Sequence, residues 1–112
     1  MALKGGFMNF KELADNLGLE EDEYLELIEL FIETGMSDLD KLGSAIKKGD
    51  AEESANAAHS IKGASGNLGL MDVYEIAMKI EQDARNGLLE GLSESIEAIK
   101  GKLDVISQSA RG

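Results

Sequence analysis

Helical periodicity runs through almost the whole chain, and glycines interrupt it at intervals. Apolar residues recur every three or four positions, as they do on one face of an amphipathic helix. No segment alternates apolar and polar residues as a half-buried strand would, and β-branched residues are sparse. The sequence therefore predicts an all-α protein.

The periodic segments divide into one short helix and four substantial ones. We predict helices over residues 9–17, 20–34 continuing through 37–48, 51–68, 73–86 and 91–109. Glycines end most of these segments, whereas Gly35 is expected to bend its helix rather than end it. The apolar face of the second helix consists of Tyr24, Leu27, Ile28, Phe31 and Ile32. Short glycine-containing turns favour an antiparallel up-and-down four-helix bundle with a short accessory N-terminal helix.

Two capping boxes predict where the third and fourth of these segments begin. Asp50 stands three residues ahead of Glu53, and Asp72 stands three residues ahead of Glu75. In each pair the first carboxylate can accept a backbone N–H at the start of a helix, while the glutamate reaches back. We therefore expect helices to begin just after Asp50 and Asp72.

Composition narrows the class of protein. A chain of 112 residues has room for one compact core, and we divide it into a flexible leader, residues 1–8, and a bundle domain, residues 9–112. It has no cysteine, signal peptide or apolar run of membrane-spanning length, which favours the cytoplasm. The net charge of −11 would repel nucleic acid and anionic membranes. We expect partners that are proteins or small ligands.

The single histidine, His59, lies on the outer face of its predicted helix. Taking 3.6 residues per turn, the buried face consists of Ser54, Ala57, Ala58, Ile61, Ala64, Ser65 and Leu68. On the same wheel Ala55, Lys62, Gly63 and Gly66 all fall within about 60° of His59. We call these five residues the docking stripe. The phase of the helix argues against a packed core histidine.

The two glycines of the docking stripe have two interpretations. A glycine inside a helix costs about 1 kcal/mol relative to alanine, so Gly63 and Gly66 suggest that a partner must come close. Small residues also allow two helices of the same protein to cross tightly. Lys62, one turn beyond His59, is either an ordinary solvated lysine or a cation that offsets negative charge added to the ring.

The helix hairpin around Leu70 predicts a partner for His59. Residues equally distant from the turn lie at similar heights on the two helices, and both His59 and Glu81 are eleven positions from Leu70. If Glu81 faces the histidine, it can accept a hydrogen bond from Nδ1–H and leave Nε2 as a nucleophile. It is otherwise a solvated glutamate. Arg85 either extends the positive patch or pairs with Glu81.

The run His59-Ser60-Ile61-Lys62-Gly63-Ala64-Ser65, with Leu68-Gly69, resembles the motif of histidine-containing phosphotransfer (HPt) domains. These domains pass phosphoryl groups along bacterial two-component phosphorelays, and the resemblance extends from about Phe10 to Ile106. It implies a four-helix bundle in which His59 is phosphorylated. It further implies that Lys62 supports the phosphoryl group, that Gly63 leaves room for it, and that Glu81 holds the other ring nitrogen.

The resemblance also implies a carrier rather than an enzyme. Its partners would be response-regulator receiver domains and a histidine kinase, which can be of the hybrid type, and a monomer would let one receiver reach His59. We find no nucleotide-binding loop and no metal cluster, so we expect no cofactor and assign the catalytic Mg²⁺ to the partner. The same residues also resemble the phosphorylated N-terminal domain of chemotaxis histidine kinases.

Three other classes of helical protein fit the sequence less well. A di-iron carboxylate bundle needs Glu-x-x-His pairs on two helices, but there is one histidine and position 56 is Asn56. An acyl carrier needs an Asp-Ser dipeptide at a helix start, whereas the order here is Ser37-Asp38. A non-catalytic adaptor bundle would leave the docking stripe unexplained.

Overall fold

Five helices make up the part of the chain that the computed structural model describes, residues 8–111. They are α1 (Phe10–Asn16), α2 (Glu21–Lys48), α3 (Ala51–Asn67), α4 (Met71–Arg85) and α5 (Leu92–Arg111). Most of the predicted leader lies outside the described residues. Met8, which we had assigned to the leader, is half-buried and packs against the core.

The four long helices form a ring, in which consecutive helices pack side by side and the last, α5, packs against the first, α2. Helix α2 packs against α3 and α5, and α4 also packs against α3 and α5, whereas the diagonal pairs do not pack together. Short α1 lies against α2. Residues 49–50, 68–70 and 86–91 connect the long helices, so consecutive helices run in opposite directions. The predicted up-and-down bundle with an accessory helix is confirmed.

One predicted helix start is correct and the other is wrong. Asp50 Oδ1 accepts the Glu53 backbone N–H at 3.0 Å, as predicted. Helix α4 instead begins at Met71, with the buried Leu70 at its N-cap and no side-chain cap. Because Leu70 is packed into the core, the helix begins before Asp72 and not after it. Asp72 is exposed, and its Oδ2 lies 3.5 Å from Nζ of Lys102. A capping box at Glu20, which we did not predict, begins α2.

Helix α2 is continuous through Gly35, so the prediction that it does not end there is confirmed. Gly35 is buried, and a Cβ at this position would lie 3.3 Å from Leu103 Cδ1 of α5. The glycine therefore accommodates a side chain of the neighbouring helix. Leu27 was expected on the apolar face of α2 but is 42% exposed.

The core follows the axis of the bundle and draws apolar side chains from every helix. Its largest fully buried members are Tyr24, Ile28, Leu42, Ile61, Val73, Ile80, Ile99 and Leu103. The hydroxyl of Tyr24 donates to the carbonyl oxygen of Leu68 and ties α2 to the end of α3. None of the helices in residues 8–111 is long and apolar enough to span a membrane.

Candidate functional site

His59 lies on α3 with its ring turned to solvent. Its side chain is 62% exposed, whereas Ala58 and Ile61 of the same helix are buried in the core. Most of the predicted buried face of α3 is buried, and only Ala64 of that set is partly exposed. Helical phase alone therefore placed the imidazole correctly at the surface.

Glu81 reaches His59 from the adjacent helix α4. Its Oε2 lies 3.1 Å from Nδ1 of His59, and its side chain is only 8% exposed. An ionised carboxylate can only accept a hydrogen bond, so Nδ1 is the nitrogen that carries the proton. The hairpin symmetry about Leu70 correctly placed the two residues side by side.

Two cations share the same carboxylate. Lys62 Nζ lies 2.8 Å from Oε1 of Glu81. Arg85 donates twice to Oε2, from Nε at 3.0 Å and from Nη2 at 2.6 Å. Lys62 is therefore not a free surface lysine, and of the two interpretations of Arg85 the structure shows the ion pair with Glu81.

This cluster sets the charge of Glu81. Burial on its own would raise the pKa of the carboxyl group, but hydrogen bonds from Lys62, Arg85 and His59, together with the charge of Lys62, outweigh it. The pKa of Glu81 falls from 4.5 to about 2. The carboxylate is consequently ionised at neutral pH and remains an acceptor for Nδ1–H.

The two glycines of the docking stripe differ in their surroundings. A Cβ on Gly63 would meet nothing within 4 Å, so this position is open. A Cβ on Gly66 would lie 3.0 Å from Cδ1 of Tyr74. Close packing of α3 against α4, the second of the two interpretations, therefore accounts for Gly66.

Ala55 does not belong to the exposed surface, and its place in the docking stripe was wrong. It is 2% exposed. Ala55 and Lys62 are seven residues apart and so lie on the same side of α3, and Lys62 points to α4. The side of the stripe that carries Ala55 is consequently covered by the neighbouring helix.

Tyr74 is the contact at this site that we did not predict. The hairpin rule that found Glu81 would also have found it, because Gly66 and Tyr74 are each four residues from Leu70. In the sequence, a glycine on one helix at the same height as a large aromatic residue on the next predicts that the two helices pack closely there.

An exposed imidazole on a four-helix bundle, held at one nitrogen by a buried carboxylate, is the arrangement expected of a phosphohistidine carrier. The sequence matches the Hpt domain over residues 26–109, and the chain belongs to this family. It is a histidine phosphotransfer carrier of a phosphorelay rather than a catalyst.

A solved structure supports the same assignment over nearly the full length. The crystal structure of histidine-containing phosphotransfer protein B (HptB) from Pseudomonas aeruginosa PAO1 is 27% identical in sequence and superimposes with a TM-score of 0.81. The match covers 96% of this chain and 94% of that one. A comparison with curated protein sequences gave no significant match.

Proposed function

We propose that His59 is the residue that carries the phosphoryl group. The observation that supports this most directly is the hydrogen bond between Nδ1 of His59 and Glu81 on a ring that is 62% exposed. With its proton held on Nδ1, the neutral ring has its lone pair on Nε2. Nε2 is then the nucleophile.

The transfer step exchanges one bond to phosphorus for another. Nε2 of His59 attacks the phosphorus of a receiver aspartyl phosphate, the N–P bond forms, and the O–P bond breaks to release the aspartate carboxylate. Nδ1 keeps its proton, so the ring gains positive charge that Glu81 stabilises. Lys62, close enough to contact the same carboxylate, offsets the charge of the phosphoryl oxygens. The reverse reaction passes the group to the next receiver.

The surface around His59 is the docking site that we assign to receiver domains. It consists of His59, Lys62 and Gly63, and the open space at Gly63 leaves room for the phosphoryl group. The receiver supplies both the aspartate and the Mg²⁺ needed for transfer. The first phosphoryl donor of the relay is a histidine kinase, which can be of the hybrid type. The bundle domain, residues 9–112, works as a monomer in the cytoplasm.

Phosphoryl transfer from a labelled receiver tests this assignment. We expect wild-type protein mixed with a ³²P-labelled receiver domain to acquire label that is lost in acid and kept in base, as a phosphoramidate requires. His59→Gln should acquire none, because the amide offers no nucleophilic nitrogen. Mapping the labelled peptide by mass spectrometry identifies the modified residue directly.

The matched control is Ser60→Ala, which changes the next exposed residue of α3 and leaves the histidine in place. This variant should be labelled like the wild type. Label that persists on His59→Gln, or that is stable in acid, would overturn the assignment of His59.

A further inference from the structure

The two oxygens of Glu81 are used differently. Oε1 accepts from Lys62 Nζ at 2.8 Å. Oε2 accepts from Nδ1 of His59 at 3.1 Å and from both Nε and Nη2 of Arg85. The oxygen that orients the histidine is therefore also the oxygen that the arginine holds.

The partners of Glu81 come from different helices. Arg85 stands one turn after Glu81 on α4, an i,i+4 pair, whereas His59 and Lys62 reach across from α3. The position of the carboxylate relative to α4 is thus fixed by its own helix. The planar guanidinium, with two donors engaged, also defines orientation better than an ammonium group does.

Phosphorylation of His59 would change the charges around the ammonium group of Lys62. Before transfer, Glu81 contributes one negative charge against the positive charges of Lys62 and Arg85. A phosphoryl group on Nε2 brings strong acceptor oxygens and new negative charge, which attract the flexible lysine. If Lys62 turns towards the phosphoryl group, Oε1 loses its partner. A buried carboxylate without a cation is strongly unfavourable.

We propose that Arg85 is a positioning residue of the phosphotransfer site, which keeps Glu81 ionised and oriented towards Nδ1 of His59 while Lys62 turns to the phosphoryl group. The proposal rests on His59 being the phosphorylated residue. Arg85 itself does not touch the reacting nitrogen. Its effect on transfer passes through Glu81 and the tautomer of the ring.

Three variants test the proposal. Arg85→Gln removes the charge, and Arg85→Lys keeps it with poorer geometry. Lys79→Gln is the matched control, because Lys79 forms the same i,i+4 type of ion pair on α4, with Asp83 at 2.9 Å. Arg85 is 56% exposed, so all three proteins should fold, as circular dichroism will verify.

Two measurements separate a positioning role from a structural one. Nitrogen-15 NMR of the unphosphorylated protein reports the tautomer of His59. A time course of labelling by a phosphorylated receiver, quenched at set times, reports the rate at which the protein accepts the phosphoryl group. For Arg85→Gln we expect a larger share of the Nε2–H tautomer and acceptance slowed by about tenfold, by analogy with the loss found when a group that orients a metal-binding histidine is removed. Arg85→Lys, which keeps the charge but has a single donor group in poorer geometry, should fall between Arg85→Gln and the wild type in both measurements, and Lys79→Gln should match the wild type.

The outcomes distinguish this proposal from the assignment of His59. An Arg85→Gln protein with wild-type tautomer and rate would overturn the role of Arg85 and leave the assignment intact. A slower rate with an unchanged tautomer would also overturn it, since Arg85 would then act other than through Glu81. If the wild type were labelled elsewhere, the assignment would fail, while the tautomer measurement would still decide whether Arg85 holds the ring.

Discussion

The interface between α3 and α4 differs in chemistry from the interface between α2 and α5. The first contains a buried glutamate with three nitrogen-bearing partners and a glycine packed against Tyr74. The second has an apolar centre, where Leu103 packs against Gly35 and Leu39 is buried. A glycine allows close approach at one point of each interface, but the polar cluster of the first lies beside the exposed side chain of His59. The polar contacts of the α3–α4 interface therefore lie beside the histidine that we propose as the phosphorylated residue, whereas the contact of Leu103 with Gly35 packs the core.

The largest expected effect is a loss of stability at the α2–α5 interface. Leu103 is fully buried, so Leu103→Ala should lower the free energy of unfolding by about 2–5 kcal/mol, because it removes apolar contacts and leaves a cavity. Urea denaturation measures this loss. The rate of phosphoryl acceptance, measured at low temperature and corrected for the folded fraction, should be unchanged.

Val105→Ala, an exposed position on the same helix, is the control and should change stability much less. If Leu103→Ala slowed acceptance by the folded protein, the apolar interface would take part in the reaction. The division between the two interfaces would then be wrong.

The next effect belongs to the α3–α4 interface and depends on pH. Because the pKa of Glu81 is about 2 in the folded protein and 4.5 without these contacts, the carboxylate contributes stability above about pH 5. That contribution is lost as the pH falls from 4.5 towards 2. It amounts to about 2–3 kcal/mol when the exposure of the cations is taken into account.

Chemical denaturation of wild type and Glu81→Gln between pH 2 and pH 7 measures this contribution. The difference in the free energy of unfolding should be largest at neutral pH and should shrink on acidification. Asp15→Asn removes an exposed ion pair with Lys11 and should differ little from wild type at any pH. A pH-independent difference for Glu81→Gln would contradict the charged cluster.

The same contrast explains what the sequence could predict. Helix periodicity and terminal glycines were enough for the bundle, and a count outward from Leu70 was enough to pair His59 with Glu81. Both depend on local geometry that repeats along a helix. The prediction failed at Asp72, where burial of Leu70 decided the start of α4 in place of a polar cap.

The failures at Ala55 and Gly66 have a common physical cause. A helical wheel describes one helix on its own. Because α3 packs against both α2 and α4, the buried arc of α3 is wider than the arc predicted from its wheel. Ala55 lies inside that wider arc, and Gly66 lies under Tyr74. The way one carboxylate is shared among Lys62, Arg85 and His59 also depends on side-chain geometry across two helices.

The smallest expected effect compares the two glycines of α3. Gly63→Ala adds a methyl group in open space, so it should raise the free energy of unfolding by about 0.5–1 kcal/mol through higher helix propensity. In Gly66→Ala the new Cβ would press on the ring of Tyr74, which must shift, and this cost should cancel most of the same gain. Thermal and urea denaturation of the two variants measure the difference.

The rate of phosphoryl acceptance should distinguish the two variants in a different way from stability. In the proposed site Gly63 borders the space for the phosphoryl group and the receiver, so Gly63→Ala should slow acceptance several-fold although the protein is more stable. Gly66 faces Tyr74, so Gly66→Ala should accept at the wild-type rate. Equal slowing in both variants would mean that the receiver also depends on the packing of α4 against α3. The α3–α4 interface would then transmit structural change to the docking surface as well as position Glu81.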